Sequence, residues 1–218
     1  MGSKKEFIAS VQQSAYFDWI ERDRGSVVLE AVAGAGKTTT LIEGIRRMRG
    51  TVFFGAFNKK IVQDIKGQLV EKDLMRAGLM VSTMHGAGWR AWQRAAPEVV
   101  LNEHKMRDIT DQMAQPGGVP DGLDYTLVPD LERFIQRMCS LAKNNLTPIA
   151  DPQAWLDMAE HFGADQDLPG DGDINEAMKY VMVAYLRSRA TCRTVADFDD
   201  MLYAPLAYNL RMYGNDWV

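Results

Sequence analysis

The run SVVLEAVA at 26–33 is rich in β-branched and apolar residues. It passes through AGAGKT into Leu41, Ile42, Ile45 and Met48, which have helical spacing, with Gly50 closing the stretch. A strand, a glycine-bearing turn and a helix in immediate succession form the context in which Ala31-Val-Ala-Gly-Ala-Gly-Lys-Thr38 reads as a phosphate-binding loop. Gly34 and Gly36 let backbone N–H groups turn inward on phosphate oxygens. The helix that begins at Lys37 aims its positive end at the same charge. Lys37 then reaches the β and γ phosphates and the Thr38 hydroxyl ligates Mg2+, while Ala33, Ala35 and Thr39 complete the loop around ATP. Ala31 stands where the usual GxxxxGKT pattern has its first glycine.

Two more strands follow in the same rhythm. TVFFGAF at 51–57 leads into a helix with Ile61, Val62, Ile65 and Leu69 on one face and Asn58 as its N-cap. LMVSTM at 79–84 leads into a helical stretch around Trp89 and Trp92. Strand alternating with helix predicts a parallel sheet with crossover helices. After about residue 95 the strand signal fades. Helices are expected at 131–142 behind Pro129, from Asp151-Pro152 through Trp155, Met158, Ala159 and Phe162, and from a capping box of Asp173 and Glu176 through Leu186. A last helix is expected from about Thr194, with Phe198, Leu202, Leu206 and Leu210 as its stripe and a kink at Pro205. The Gly-, Pro- and Asp-rich stretches 115–124 and 163–172 read as loops.

Several classes are excluded. No apolar run approaches the roughly 18 residues of a membrane span. The start Met-Gly-Ser-Lys-Lys-Glu has neither a secretory signal nor a myristoylation pattern, so a cytoplasmic protein is expected. Cys139 and Cys192 are too few for a disulfide framework or a zinc site and read as free thiols. The net charge of -4 hides an asymmetry: the first 100 residues carry 15 Lys and Arg against 10 Asp and Glu, and the remainder 10 against 19. A polyanion would meet the N-terminal part.

AVAGAGKTTTL resembles the AxxGxGKT loop of the UvrD/Rep-type superfamily 1 DNA helicases, and other segments match that family in order. SVQQSAYFDWI is similar to its Q motif, whose glutamine reads the adenine edge; Gln12, three residues before Ala15, fits best and Gln13 second. GAFNKKIVQDI at 55–65 resembles motif Ia, where an aromatic at a strand end stacks on a base of single-stranded DNA, which implies this role for Phe57. STMHGAG at 82–88 resembles motif Ib, in which a threonine and a histidine approach the DNA backbone. SLAKNNLTP at 140–148 is similar to part of the family's helical insertion, and ADFDDML at 196–202 to the sequence that returns to the first RecA-like domain. The resemblance implies DNA contacts from Phe57, Asn58, Lys59, Thr83 and His85, the last of which could equally cap its own helix. It also implies an α/β fold: a RecA-like P-loop parallel sheet, incomplete, with a helical insertion. Residues 1–95 would be the first part of the ATP-binding domain, 96–190 the insertion and 191–218 the return.

Other residues read more plainly. Trp89, Trp92 and Trp155 fall on apolar stripes and read as core. His104 and His161 read as surface residues. Asp197, Asp199 and Asp200 sit in the first turns of a helix, where the dipole favours carboxylates, and read as capping or packing groups rather than metal ligands. A helicase of this family also needs an apolar strand ending in Asp-Glu. The nearest internal stretch, Val99-Val-Leu-Asn-Glu103, has Asn102 where aspartate is wanted. The chain reaches Asn215-Asp-Trp-Val218 just where a strand begins, so the expectation is that the Walker B strand and the C-terminal RecA-like domain would follow in cis. By itself the chain should bind ATP and single-stranded DNA weakly and unwind nothing. A non-enzymatic ATP- or DNA-binding module and an unrelated P-loop kinase are the alternatives.

Overall fold

The structure, a computed structural model, describes residues 7–22, 25–126, 128–168, 172–210 and 214–218. The N-terminal hexapeptide, residues 169–171 of the expected loop and residues 211–213 of the expected return segment lie outside the described residues. The chain divides into two compact units, Met1–Met84 with Tyr213–Val218, and His85–Met212. The boundaries expected at 95 and 190 therefore do not coincide with the compact units. The structure is α/β, with two small parallel sheets.

In the first unit, α1 (Val11–Arg22) precedes α2 (Lys37–Ile45), β1 (Val52–Ala56), α3 (Lys59–Glu71) and β2 (Leu79–Thr83). β1 and β2 pair in parallel, with Val52 opposite Leu79 and Ala56 opposite Thr83, and α3 is the crossover. The Asn58 carboxamide caps α3 by accepting from Ile61 N at 2.9 Å. Val62, Ile65 and Leu69 then pack with Ile42, Ile45, Val52, Leu79 and Val81 in one core, while Ile61 stays largely exposed. Each such buried aliphatic side chain contributes roughly 1.5–3 kcal/mol. Gly44 permits the contact of α1 with α2, since a Cβ there would lie 2.9 Å from the Tyr16 ring. The C-terminal residues join this unit: Phe53 N donates to Trp217 O at 2.9 Å, and Trp217 N to Thr51 O at 3.1 Å.

Two expectations fail in this unit. Residues 26–33 form no strand, and Val28 is 91% exposed. β-Branched composition alone does not hold an extended chain. A strand exists through its ladder partner, and the free side of β1 is bridged at Val52 by Trp217 instead. The helix after the loop also ends at Ile45, five residues before Gly50.

The second unit takes in α4 (Met84–Ala95) from its second residue onward and β3 (Val100–Leu101), continues through α5 (Lys105–Met113), α6 (Pro129–Asn145), α7 (Pro152–His161) and α8 (Ile174–Thr191), and closes with β4 (Val195–Ala196) and α9 (Phe198–Ala207). Its main core surrounds Phe134, Ile135, Met138, Cys139 and Ala142 of α6, with Trp155 and Tyr185 packed edge to face at 5.0 Å. Trp92 is fully buried and donates Nε1 to Cys192 O at 3.0 Å. The core reading holds for Trp92 and Trp155, whereas Trp89 is half-buried; Cys139 and Cys192 are buried free thiols. His104 and His161 are exposed. β3, within the stretch 99–103, and β4, where a helix was expected, form a short parallel pair.

Asp173 caps α8 through Asn175 N at 2.8 Å, but the expected capping box is absent because Glu176 pairs with Lys179. α9 starts at Phe198 rather than Thr194. Its buried face is Asp200, Met201, Tyr203 and Ala204, not the expected stripe, of which Phe198 and Leu206 are exposed. The reason lies at its N-terminus, where two buried aspartates fix which way the helix faces.

Candidate nucleotide-binding site

The loop at 31–38 has the backbone its glycines permit. Gly34 has φ 79° and Gly36 φ 80°, a region where a Cβ is strained. α2 begins at once on Lys37, and its N-cap, Gly36, has no side chain to satisfy the first-turn amides. The N–H groups of Lys37, Thr38 and Thr39 thus find no acceptor within the helix, and the positive end of its dipole is uncovered. Ala33, Gly34, Ala35 and Thr38 are exposed, while Lys37 and Thr39 are half-buried. Lys37 folds back over the loop, donating Nζ to Ala31 O at 2.5 Å and to Val32 O at 2.8 Å. The loop thus carries an ammonium held on two of its carbonyls and leads into a helix whose first-turn amides have no helical acceptor, features that suit an anion.

α1 supplies a brace for this loop. Ser10 and Gln13 form a reciprocal capping pair, Gln13 Oε1 accepting from Ser10 N at 2.9 Å and Ser10 Oγ from Gln13 N at 3.3 Å. Gln13 Nε2 also donates to Thr40 Oγ1 at 2.8 Å, and Thr40 Oγ1 donates to Gly36 O at 2.9 Å. Gln13 therefore stands beside the loop, whereas Gln12 is exposed on α1. Positions 13, 16, 17 and 20 share the inward stripe of the helix, which carries Tyr16, Phe17 and Ile20 into the core. The Ser-x-x-Gln pattern was a legible signal for this brace that the sequence reading passed over.

Past the end of β1, Phe57 is 91% exposed and lies outside the core. Asn58 spends its side-chain oxygen on the α3 cap, and Lys59 is exposed in the first turn. The register that sets Ala56 beside Thr83 puts Phe57 and Thr83 at the same C-terminal sheet edge. Thr83 is half-buried, and His85, also half-buried, belongs to the second unit. Glu103, in the stretch weighed as an acidic motif, is exposed in a turn between β3 and α5.

The carboxylates at 197–200 have the predicted capping role and more. Asp197 Oδ1 accepts from Asp200 N at 2.8 Å and Asp200 Oδ2 from Asp197 N at 3.1 Å, which makes a capping box on α9. Two buried lysines, unforeseen in the sequence, close the cluster. Lys105 Nζ donates to Asp200 Oδ2 at 2.6 Å and to Ser188 O at 2.7 Å. Lys143 Nζ lies 2.8 Å from Asp197 Oδ2 and 2.9 Å from Asp200 Oδ1, the latter contact being an ion pair without hydrogen-bond alignment. Burial alone would raise the Asp197 carboxyl and lower the Lys143 ammonium. The opposite charges beside each reverse both effects, leaving Asp197 below and Lys143 above its ordinary range. Among the described residues no three His, Cys, Asp or Glu side chains are grouped to hold a metal ion. No helix there is long and apolar enough to cross a membrane.

No protein-family model matches the chain, and no curated protein matches it.

Proposed function

We propose that the chain binds ATP with Mg2+ and single-stranded DNA as the ATP-binding portion of a UvrD/Rep-type superfamily 1 DNA helicase. The observation that carries this reading is the loop itself: two positive-φ glycines, an uncapped helix N-terminus and a lysine folded back onto the carbonyls of Ala31 and Val32. Phosphate oxygens would replace the Ala31 and Val32 carbonyls as acceptors for Lys37, and the first-turn amides of α2 would take the remaining charge. Thr38, exposed at the second helical position, would give Mg2+ one hydroxyl ligand; the ion would neutralise phosphate charge. Gln13 or Gln12 would face the adenine.

A RecA-like sheet belongs to the same proposal. In its favour stand the parallel β1–α3–β2 unit and a tail that pairs with β1 through Trp217. Phe57 supports the DNA half: a ring almost wholly in water at the C-terminal edge of a sheet has no packing role and offers a face to a base. The test is a titration of a fluorescent ATP analogue with Mg2+ into the chain and its Lys37→Ala variant. Loss of the ammonium should weaken binding by about 1.5–3 kcal/mol, ten-fold or more. Equal affinity in the two proteins would overturn the assignment.

A further inference from the structure

A cleft of about 540 Å³ in the first unit is walled by Ile20 and Glu21 at the end of α1, by Arg46, Arg47 and Arg49 after α2, and by Trp217. Residues 39–45 of α2, roughly 10 Å of rise, separate it from the loop at 31–38. Its cations are unevenly committed. Arg47 is fixed, donating Nη1 to Glu43 O at 3.1 Å with its guanidinium 4.0 Å above the Phe17 ring. Arg46 approaches Glu43 at 3.5 Å, but that carboxylate is already held by Lys72 at 2.6 Å. The Arg49 side chain has no partner among the described residues, while its carbonyl is pinned by Trp217 Nε1 at 2.8 Å. A fourth guanidinium, Arg76, fastens the same segment through Gly50 O and Met48 O at 2.7 and 2.8 Å.

Among the described residues, Glu21 is the carboxylate that lines the cleft, Glu43 is shared by Lys72 and Arg46, and Asp216 is engaged by Thr51 N and Oγ1 at 2.6 and 2.8 Å. The dipole of α2 accounts for Arg46 and Arg47 at its C-terminal end. It does not account for Arg49, which lies beyond the last turn, nor for a concavity with an indole wall. Guanidinium forks match phosphate oxygens in pairs. Trp217, Ile20 and Met48 offer an apolar side to whatever the phosphate carries.

We propose that this cleft is a second anion site, which takes a small phosphate ester with its phosphate on Arg46 and Arg49 and its apolar group against Trp217. The site is independent of the P-loop reading, and its test is made with the loop silenced. In the Lys37→Ala chain, phenyl phosphate should bind saturably by calorimetry and quench tryptophan emission. Affinity should fall at least ten-fold in Arg46→Ala/Arg49→Ala and in Arg49→Gln, and stay unchanged in Lys60→Ala, an exposed lysine of α3 outside the cleft. Melting curves matching the parent would show that the variants fold. Absence of saturable binding, or equal affinity in the arginine variants, would overturn the proposal. Binding of a single-stranded oligonucleotide that depends on Arg46 and Arg49 while phenyl phosphate fails to bind would overturn it in favour of a strand-backbone contact.

Discussion

Replacing Lys143 by methionine keeps the length of the side chain and removes one ammonium from a cluster of two lysines and two aspartates. The side chain is 1% exposed, and the Asp200 carboxylate it leaves behind is 0% exposed. Asp200 retains Lys105 on Oδ2, but Oδ1 loses the ammonium beside it, and Asp197 Oδ2 loses its partner as well. Breaking a buried pair from one side costs roughly 3–5 kcal/mol, because the uncompensated charge stays buried. At about 2 cal/mol/K per residue, a unit of about 130 residues has a melting entropy near 0.27 kcal/mol/K, so the loss should lower its Tm by roughly 10–20 °C.

Circular dichroism melts at pH 7 measure this directly. A partner variant makes the reasoning sharper. Lys143→Met with Asp197→Asn removes one charge of each sign and keeps a capping oxygen on α9, so it should recover at least about 1.5 kcal/mol relative to the sum of the single changes. A cost below about 1 kcal/mol for Lys143→Met, or strict additivity in the double variant, would refute the account. The pH dependence carries a sign check. The lowered Asp197 contributes stability fully present above the ordinary aspartate range and lost as pH falls through its folded value. The raised Lys143 contributes stability present below the ordinary lysine range and lost as pH rises through its own. The cost of Lys143→Met should therefore be greatest between about pH 4 and pH 10 and shrink outside that window.

Three further outcomes follow from single positions. Phe57→Ala should leave the melting temperature within about 1 °C, since the ring is exposed, yet weaken single-stranded DNA binding by roughly 1–3 kcal/mol in low-salt anisotropy; unchanged affinity would exclude the stacking role. Gly88→Ala should destabilise the helical unit by roughly 3 kcal/mol or more, because its Cβ would lie 1.9 Å from the backbone oxygen of Met201; a wild-type urea midpoint would contradict this. Gln13→Ala removes both the reciprocal cap on Ser10 and the bond to Thr40. It should cost roughly 1–2 kcal/mol in urea unfolding, more than Gln12→Ala, and equal effects would deny the brace.

What the sequence disclosed and what it hid divide along a physical line. Features set by the chain's own neighbours were legible: the Asn58 cap, the helix starts at Pro129 and Pro152, the β1 and β2 runs, and the turn at Gly34 and Gly36 that a phosphate would need. Features set by a distant partner were not. Residues 26–33 have the composition of a strand, but composition cannot tell whether a ladder partner stands beside them, and Trp217 takes the free side of β1 instead. α9 presents the same limit from the other side. Its leucines suggested a buried stripe, but the helix faces where Asp197 and Asp200 can reach lysines 54 and 95 residues earlier in the chain. Those lysines were nevertheless half visible. Lys105 continues the stripe of Ile109 and Met113, and Lys143 that of Ile135, Cys139 and Ala142, so each is a charge at a core position of its helix. A lysine on an apolar stripe needs a buried counter-ion, and acidic residues at the first turn of a later helix are well placed to provide it. Read together, the two stripes and the acidic cap would have oriented α9 before any coordinate was known. The same logic applied to Phe57 gives the opposite result: its strand neighbours are paired, no stripe claims it, and an aromatic side chain that the fold leaves in water is available for a ligand.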